Sequence, residues 1–174
     1  MIKFTLKNSD QQVQAAILDF HLGLPAYKKT LKIAHTIFLL CALAMLGLTA
    51  LSLIALKRVD LSTLVIMAFT VVAYFVAAPL QKAVLKKRVV AAAVPGEIKY
   101  SADKSGISVD CEKGQKHHDW PQQVDFGEKA GYYYIYFQSD RAYLILCDKK
   151  QVSAADFKQL QAWHQESLAS KQES

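Results

Sequence analysis

The chain has 174 residues, of which 52% are hydrophobic and 21% charged, and its formal net charge is +6. Residues 33–56 and 61–80 contain no charged side chain, which excludes a disordered chain, a disulfide-rich secreted scaffold and a wholly soluble protein. Residues 89–174 hold ten Lys or Arg against twelve Asp or Glu, so the basic excess lies beside the apolar runs. A nucleic-acid-binding domain would carry that excess itself, and we expect no nucleic-acid partner.

Residues 1–32 are predicted to form a short strand and an amphipathic helix. Apolar and polar residues alternate from Ile2 to Lys7, as in a strand, and Val13, Ala16, Ile17, Phe20 and Leu24 then follow helical spacing. This helix could lie on the membrane surface or pack against the C-terminal domain. Asp19 and neighbouring neutral glutamines make a poor surface for anionic lipid, so we favour packing.

Two apolar runs predict transmembrane helices at residues 33–56 and 61–80, with the second helix able to continue to residue 94. As helices they are about 36 and 30 Å long, enough to cross a hydrocarbon core of about 30 Å. Both are apolar on all sides, unlike buried helices of a soluble bundle, which keep a polar stripe. Residues 57–60 then form a short extracytoplasmic loop, which can join only antiparallel neighbours.

The flanking charges predict the orientation of this hairpin. Seven basic residues flank its open end, and two lie in the loop: Lys28, Lys29, Lys32, Lys82, Lys86, Lys87 and Arg88 against Lys57 and Arg58. The positive-inside rule therefore places the N-terminus and the C-terminus in the cytoplasm. Neither span contains Asp, Glu, Lys or Arg, which disfavours an ion pathway or a proton relay.

Small residues mark where the spans could make contacts. They form one stripe on the first helix and one on the second: Ala44, Gly47 and Ala50, then Ala73 and Ala77. Small side chains allow helices to approach closely in lipid. We favour packing within the hairpin and keep a homodimer through the hairpin as the alternative.

Residues 97–170 are predicted to form a cytoplasmic domain of antiparallel strands. Period-two patterns between polar turns indicate strands near 97–101, 107–111, 116–120, 124–126, 131–138 and 142–147. Predicted chain reversals lie at Pro95-Gly96, Lys113-Gly114 and Asp140-Arg141. A terminal helix follows, opened by the capping-box-like sequence Ser153 to Asp156.

This order of elements resembles a pleckstrin-homology-like (PH-like) half-barrel, and the whole chain resembles the YcxB-like family of small bacterial membrane proteins. The matching features are Ser105-Gly106-Ile107, Trp120 followed by Val124, the strand pair from Tyr133 to Cys147, and Phe157 with the terminal helix. The resemblance implies an α+β membrane protein of the bacterial inner membrane, with a helical hairpin and a C-terminal PH-like domain. Such proteins often have Ile-Pro-Lys before the last helix, where this chain has Leu146-Cys147-Asp148-Lys149. The family carries no activity to transfer.

Candidate chemistry is sparse. On a strand, His117 and Asp119 share one face and His118 lies on the other, so this run supplies too few ligands for a zinc site. Cys111 and Cys147 fall at inward-facing strand positions, where a small buried side chain is the usual role. We therefore expect no catalytic residue, metal site or cofactor.

The candidate interaction surface is aromatic. Tyr132, Tyr134 and Tyr136 share one face of a strand whose other face is also apolar, and Trp120 precedes it. Tyrosine is frequent at interfaces. The tyrosine face could bind a protein partner, meet the membrane interface, or be covered by the terminal helix or the N-terminal segment.

These features predict a membrane-anchored, non-enzymatic binding or scaffold domain that contacts a protein partner or inner-leaflet lipid. Two other classes stay open. One is a membrane enzyme or an accessory subunit of a membrane complex, with His117 and Asp119 as its site. The other is a component of a small oligomeric transporter.

Overall fold

The structure is a computed structural model that describes residues 1–57, 61–93, 96–112, 114–120, 123–138 and 143–172. It has an α+β layout in two compact units: residues 1–20 with 89–174 (the strand domain), and residues 21–88 (the hairpin). Of the predicted reversals, Pro95, Lys113, Asp140-Arg141 and residues 58–60 of the loop lie outside the described residues.

The hairpin consists of helices α2 (Pro25–Leu56) and α3 (Leu61–Ala92), both long and apolar enough to cross a membrane. Each helix extends beyond the charge-free run that predicted it. Pro25 lies in the first turn of α2, where its missing N–H is not needed, and the lysines that follow are good helix formers. Lys57, with a φ of 48°, ends α2 in the left-handed conformation.

Four antiparallel strands form the first sheet of the strand domain, in the order β1-β2-β3-β4. They are β1 (Ile2–Leu6), β2 (Ile98–Ala102), β3 (Gly106–Cys111) and β4 (Gly114–Asp119). A Cβ at Gly106 would lie 2.1 Å from the His118 carbonyl oxygen, so glycine is needed where β3 approaches β4.

Strand β1 pairs with β2, although the whole hairpin separates them in sequence. The register runs from Ile2 opposite Ala102 to Leu6 opposite Ile98. Phe4 of β1 stacks on Tyr100 of β2, with ring centroids 5.0 Å apart. The N-terminal strand is therefore part of the same sheet as the C-terminal strands, and the compact unit extends beyond the predicted 97–170.

Three further antiparallel strands form the second sheet, in the order β5-β6-β7, and helix α4 follows. Their bounds are β5 (Val124–Lys129), β6 (Tyr132–Phe137), β7 (Tyr143–Asp148) and α4 (Ala154–Gln172). The inner face of β6 packs on α4, where Tyr133 stacks on Phe157 with ring centroids 4.4 Å apart. The core includes side chains with no exposed surface, among them Ile107, Trp120, Ile135 and Leu160.

Helix α1 (Gln11–Gly23) begins after Asp10, whose carboxylate accepts a hydrogen bond from the Gln12 N–H at 2.8 Å. Its residues Val13, Ala16 and Phe20 are buried. The predicted packing of this helix against the strands is thereby confirmed.

Candidate interaction surfaces

Trp120 was predicted to lie on an interaction surface, and the structure corrects this. Its side chain has no exposed surface. Its Nε1–H donates to the Asp103 carbonyl at 2.9 Å, and its ring lies against Phe126 and His164. Lys171 of α4 donates to the Trp120 carbonyl at 2.8 Å. Trp120 therefore fills the core at the end of β4, because a buried indole needs an acceptor and Asp103 supplies one.

The three tyrosines share one face of β6, as predicted, and helix α1 covers part of that face. The Phe20 ring lies 4.8 Å from Tyr134 and 5.1 Å from Tyr136, measured between centroids. Lys129 of β5, directly opposite Tyr132, also holds α1, with its ammonium 3.3 Å from the Asp19 carboxylate. Tyr132, Tyr134 and Tyr136 are half-buried. Of the alternatives that the sequence left open, the structure has the N-terminal segment packed on this face.

Tyr134 is held in place by its neighbours on β5. Its ring lies across Gly127, where a Cβ would come within 2.5 Å of the hydroxyl oxygen. The hydroxyl donates to Asp125 at 3.3 Å. Partial burial and the Asp125 carboxylate raise the pKa of Tyr134. The tyrosine face is thus a packed and ordered surface rather than a free one.

Strand β4 is one of the two edge strands of the four-stranded sheet, the other being β1. It pairs with β3 on one side, and in the described part of the chain no strand pairs with its other side. Only His118 of its six residues is half-buried rather than exposed. Among the described residues, the backbone groups on its outer edge are therefore left without a partner strand.

The side chains of β4 divide between two faces as predicted. On the outer face, His117 Nδ1 lies 2.8 Å from Ser108 Oγ and Nε2 lies 3.3 Å from Asp119. On the inner face, the His118 ring lies 5.1 Å from Tyr143. Among the described residues, no group of three or more His, Cys, Asp or Glu could hold a metal ion.

A cavity of about 150 Å³ lies at the inner face of β2, β3 and β4. Tyr100, Cys111, His118 and Tyr143 contribute to its lining. The Tyr143 hydroxyl is buried, and the described residues give it no hydrogen-bond partner. Burial raises the pKa of Tyr143 well above its usual range, so the phenol stays neutral.

The cysteines are free thiols. Cys147 has no exposed surface, and burial raises its pKa to about 12. A thiol of that pKa has almost no thiolate at neutral pH and is a poor nucleophile. Cys111 is half-buried, and its Sγ donates to the Gly114 carbonyl at 3.6 Å.

In the hairpin, one of the two predicted stripes of small residues is half-buried and the other is exposed. Ala73 and Ala77 of α3 are half-buried, in agreement with packing inside the hairpin. Ala44, Gly47 and Ala50 of α2 are exposed, which corrects the expectation that they pack there. The half-buried residues of α2 are instead a mixed set of large and small side chains, including Phe38, Ala42 and Met45.

Searches of protein-family models, curated proteins and solved structures return no match to this chain.

Proposed function

We propose that this chain is a membrane-anchored, non-enzymatic binding module. In this proposal, α2 and α3 cross the bacterial inner membrane and hold a PH-like domain of the YcxB type at its cytoplasmic face. The observation that carries the proposal is the pairing of β1 with β2 around the inserted hairpin.

That pairing supports a two-span topology with both ends of the chain on one side. Strand β1 precedes both spans and β2 follows them, so a shared sheet requires an even number of crossings. The seven basic residues at the open end of the hairpin support the cytoplasm as that side.

The element order supports a PH-like domain. Sheets of four and three antiparallel strands are followed by one helix, whose residues Phe157 and Leu160 are buried. The first strand of this arrangement comes from the N-terminus, so the hairpin interrupts the domain between its first and second strands.

The exposed edge of β4 is the surface that best suits a protein partner. Helix α1 covers part of the tyrosine face and α4 packs on the inner face of the second sheet, whereas β4 offers backbone donors and acceptors along its length. A partner segment could bind there by adding as a further strand. Attachment through both α1–α2 and α3 confines the domain to the membrane surface and raises its effective concentration near other membrane-bound proteins.

Photocrosslinking in native membranes tests this function. A photoreactive residue at Gln115 on β4 should give a discrete adduct with another protein. The matched control is Lys158 on the exposed side of α4, which should not. The same adduct pattern from both positions, or none from Gln115, would overturn the proposal.

A further inference from the structure

A groove between α2 and α3 changes in polarity along its length. It has a volume of about 390 Å³, and the charged residues in its lining, Lys28 and Lys32, lie at one end. Its other lining residues are Leu31, His35, Thr36, Leu39 and Tyr74. From Lys28 to Leu39 the α2 helix rises about 16 Å.

The groove spans the boundary between charged and charge-free parts of the hairpin. Lys28 and Lys32 precede the apolar run that starts at Ile33, and Leu39 lies within it. On the other helix, Tyr74 lies in the charge-free run 61–80, and its ring is 4.7 Å from the His35 ring. In an inserted hairpin, the lysines therefore lie at the headgroup level and Leu39 and Tyr74 at the acyl level.

The groove carries positive charge, and none of its described lining residues is acidic. Among the described residues, neither lysine has an ion-pair partner. Between His21 and Arg88 the sequence contains one acidic residue, Asp60, which lies in the segment between the two apolar runs. Thr36 Oγ1 donates to the Lys32 carbonyl at 2.9 Å, so the two lysines are the strongest donors left for a ligand.

We propose that this groove binds one anionic phospholipid from the leaflet at the open end of the hairpin. The phosphodiester lies between Lys28 and Lys32, and one acyl chain follows Leu39 and Tyr74. A phospholipid has the same order of groups, and paired lysines between spans suit an anionic headgroup. This inference rests on the proposed insertion of the hairpin, but it does not depend on a partner at β4.

Photolabelling of the full chain in lipid nanodiscs tests the proposal. The nanodiscs contain phosphatidylcholine with a trace of phosphatidylglycerol that carries a photoreactive acyl chain. The expected adduct maps to the peptides that contain Leu39 and Tyr74. Lys28→Gln with Lys32→Gln should reduce labelling about tenfold.

The matched control is Lys86→Gln with Lys87→Gln, which removes the same charge from the same end of the hairpin but not from the groove. It should change labelling by less than about twofold, because Lys86 and Lys87 do not line the groove. Equal losses in both double variants would mean diffuse attraction and overturn the site. Equal labelling by a photoreactive phosphatidylcholine would also overturn it, because the headgroup would not be selected.

A failure of insertion gives a different result. If the hairpin does not enter the bilayer, neither probe labels α2 or α3, and the chain is extracted from membranes at alkaline pH. That outcome overturns the proposed anchoring as well as the lipid site. Extraction resistance with no selectivity for phosphatidylglycerol overturns the lipid site alone.

Discussion

At the scale of single residues, burial decides the chemistry of the ionisable groups in the core. Cys147 lies on the inner face of β7, and the desolvation of its thiolate raises its pKa from 9.0 to about 12. Tyr100 on β2 has its pKa raised from 10.0 to about 12, first by burial and then by the cysteine charges near it. Both groups are therefore neutral when the domain is folded at physiological pH.

These raised pKa values predict that the domain loses stability in alkali. Below pH 9 both groups are protonated whether the chain is folded or unfolded. Their contribution to the free energy of unfolding is therefore fully present there. Between pH 9 and 12 the unfolded chain loses the Cys147 proton and the folded chain keeps it. The free energy of unfolding should then fall by about 1.4 kcal/mol per pH unit for each such group. Fluorescence of the two tryptophans, Trp120 and Trp163, follows denaturant unfolding of the full chain in detergent.

Two variants isolate the contribution of Cys147. Between pH 9 and 10, before Tyr100 titrates in the unfolded chain, Cys147→Ala should make the decline shallower. Val152→Ala is the control, because it also truncates a buried side chain but removes no titratable proton, and it should leave the slope unchanged. A slope that Cys147→Ala does not alter would contradict the assignment.

The burial of Trp120 could not be predicted from the residues next to it in the sequence. Trp120 follows Gln115 to Asp119, a polar run, and no neighbouring apolar residue suggests that it is buried. Its burial depends on Asp103 and α4, which are distant in sequence, and on Phe126, which follows six residues later. By contrast, the faces of His117, His118 and Asp119 followed correctly from alternation alone, since alternation is a local property of strands.

At the scale of elements, the type of each segment was easier to predict than its partner. The alternation in Ile2 to Lys7 correctly indicated a strand, and the first and last helices were also expected. The same alternation does not identify the strand that pairs with β1. The backbone hydrogen bonds between two strands do not depend on which side chains the strands carry. The tyrosine face poses the same problem. A strand with two apolar faces needs another element packed on each face, and several elements of the chain could pack there.

The start of the first apolar helix was underestimated for a different reason, whereas the second helix ends at Ala92, within its predicted continuation to residue 94. The charge-free runs at 33–56 and 61–80 indicate which residues can lie in lipid. A helix can continue beyond such a run as long as the residues that follow favour helix formation. Lys28, Lys29 and Lys32 extend α2 towards Pro25, and the lysine-rich segment after Leu80 extends α3 to Ala92.

The pairing of β1 with β2 predicts a specific disulfide. Lys3 lies directly opposite Ser101, so Lys3→Cys with Ser101→Cys should form a disulfide under mild oxidation. Lys3→Cys with Lys99→Cys is the matched control, because Lys99 is displaced by two residues and its Cα is about 7–8 Å away. Peptide mass mapping of the full chain measures both. Equal yields would mean that the register, or the pairing itself, is wrong.

At the scale of the whole molecule, the order of the chain constrains how the strand domain can form. Strand β1 and helix α1 are made before the hairpin, and their partners β2 and β6 are made after it. The first sheet and the cover of the tyrosine face are therefore completed only when α3 is finished. The pairing of β1 with β2 closes a loop of about 90 residues between Leu6 and Ile98. The entropic cost of closing such a loop grows only slowly with its length.

The same constraint yields a prediction about membrane topology. Single cysteines replace Gln11 on α1, Gln159 on α4 and, separately, Lys57 at the end of α2, each an exposed position. Cys41 and Cys111 are changed to alanine in this background, and Cys147 is shielded by burial. In intact cells whose outer barrier is opened, an impermeant maleimide should label only the cysteine at position 57. After permeabilisation all three should be labelled.

The two domain positions are the informative ones, because they test the fold and the membrane together. Gln11 precedes both spans and Gln159 follows them, yet they belong to one compact unit. Labelling one of them from outside and not the other would place β1 and β2 on opposite sides of the bilayer, where they cannot share a sheet. Labelling both from outside would keep the sheet but reverse the orientation. In that case the nine flanking basic residues would not set the topology of this hairpin in the usual way.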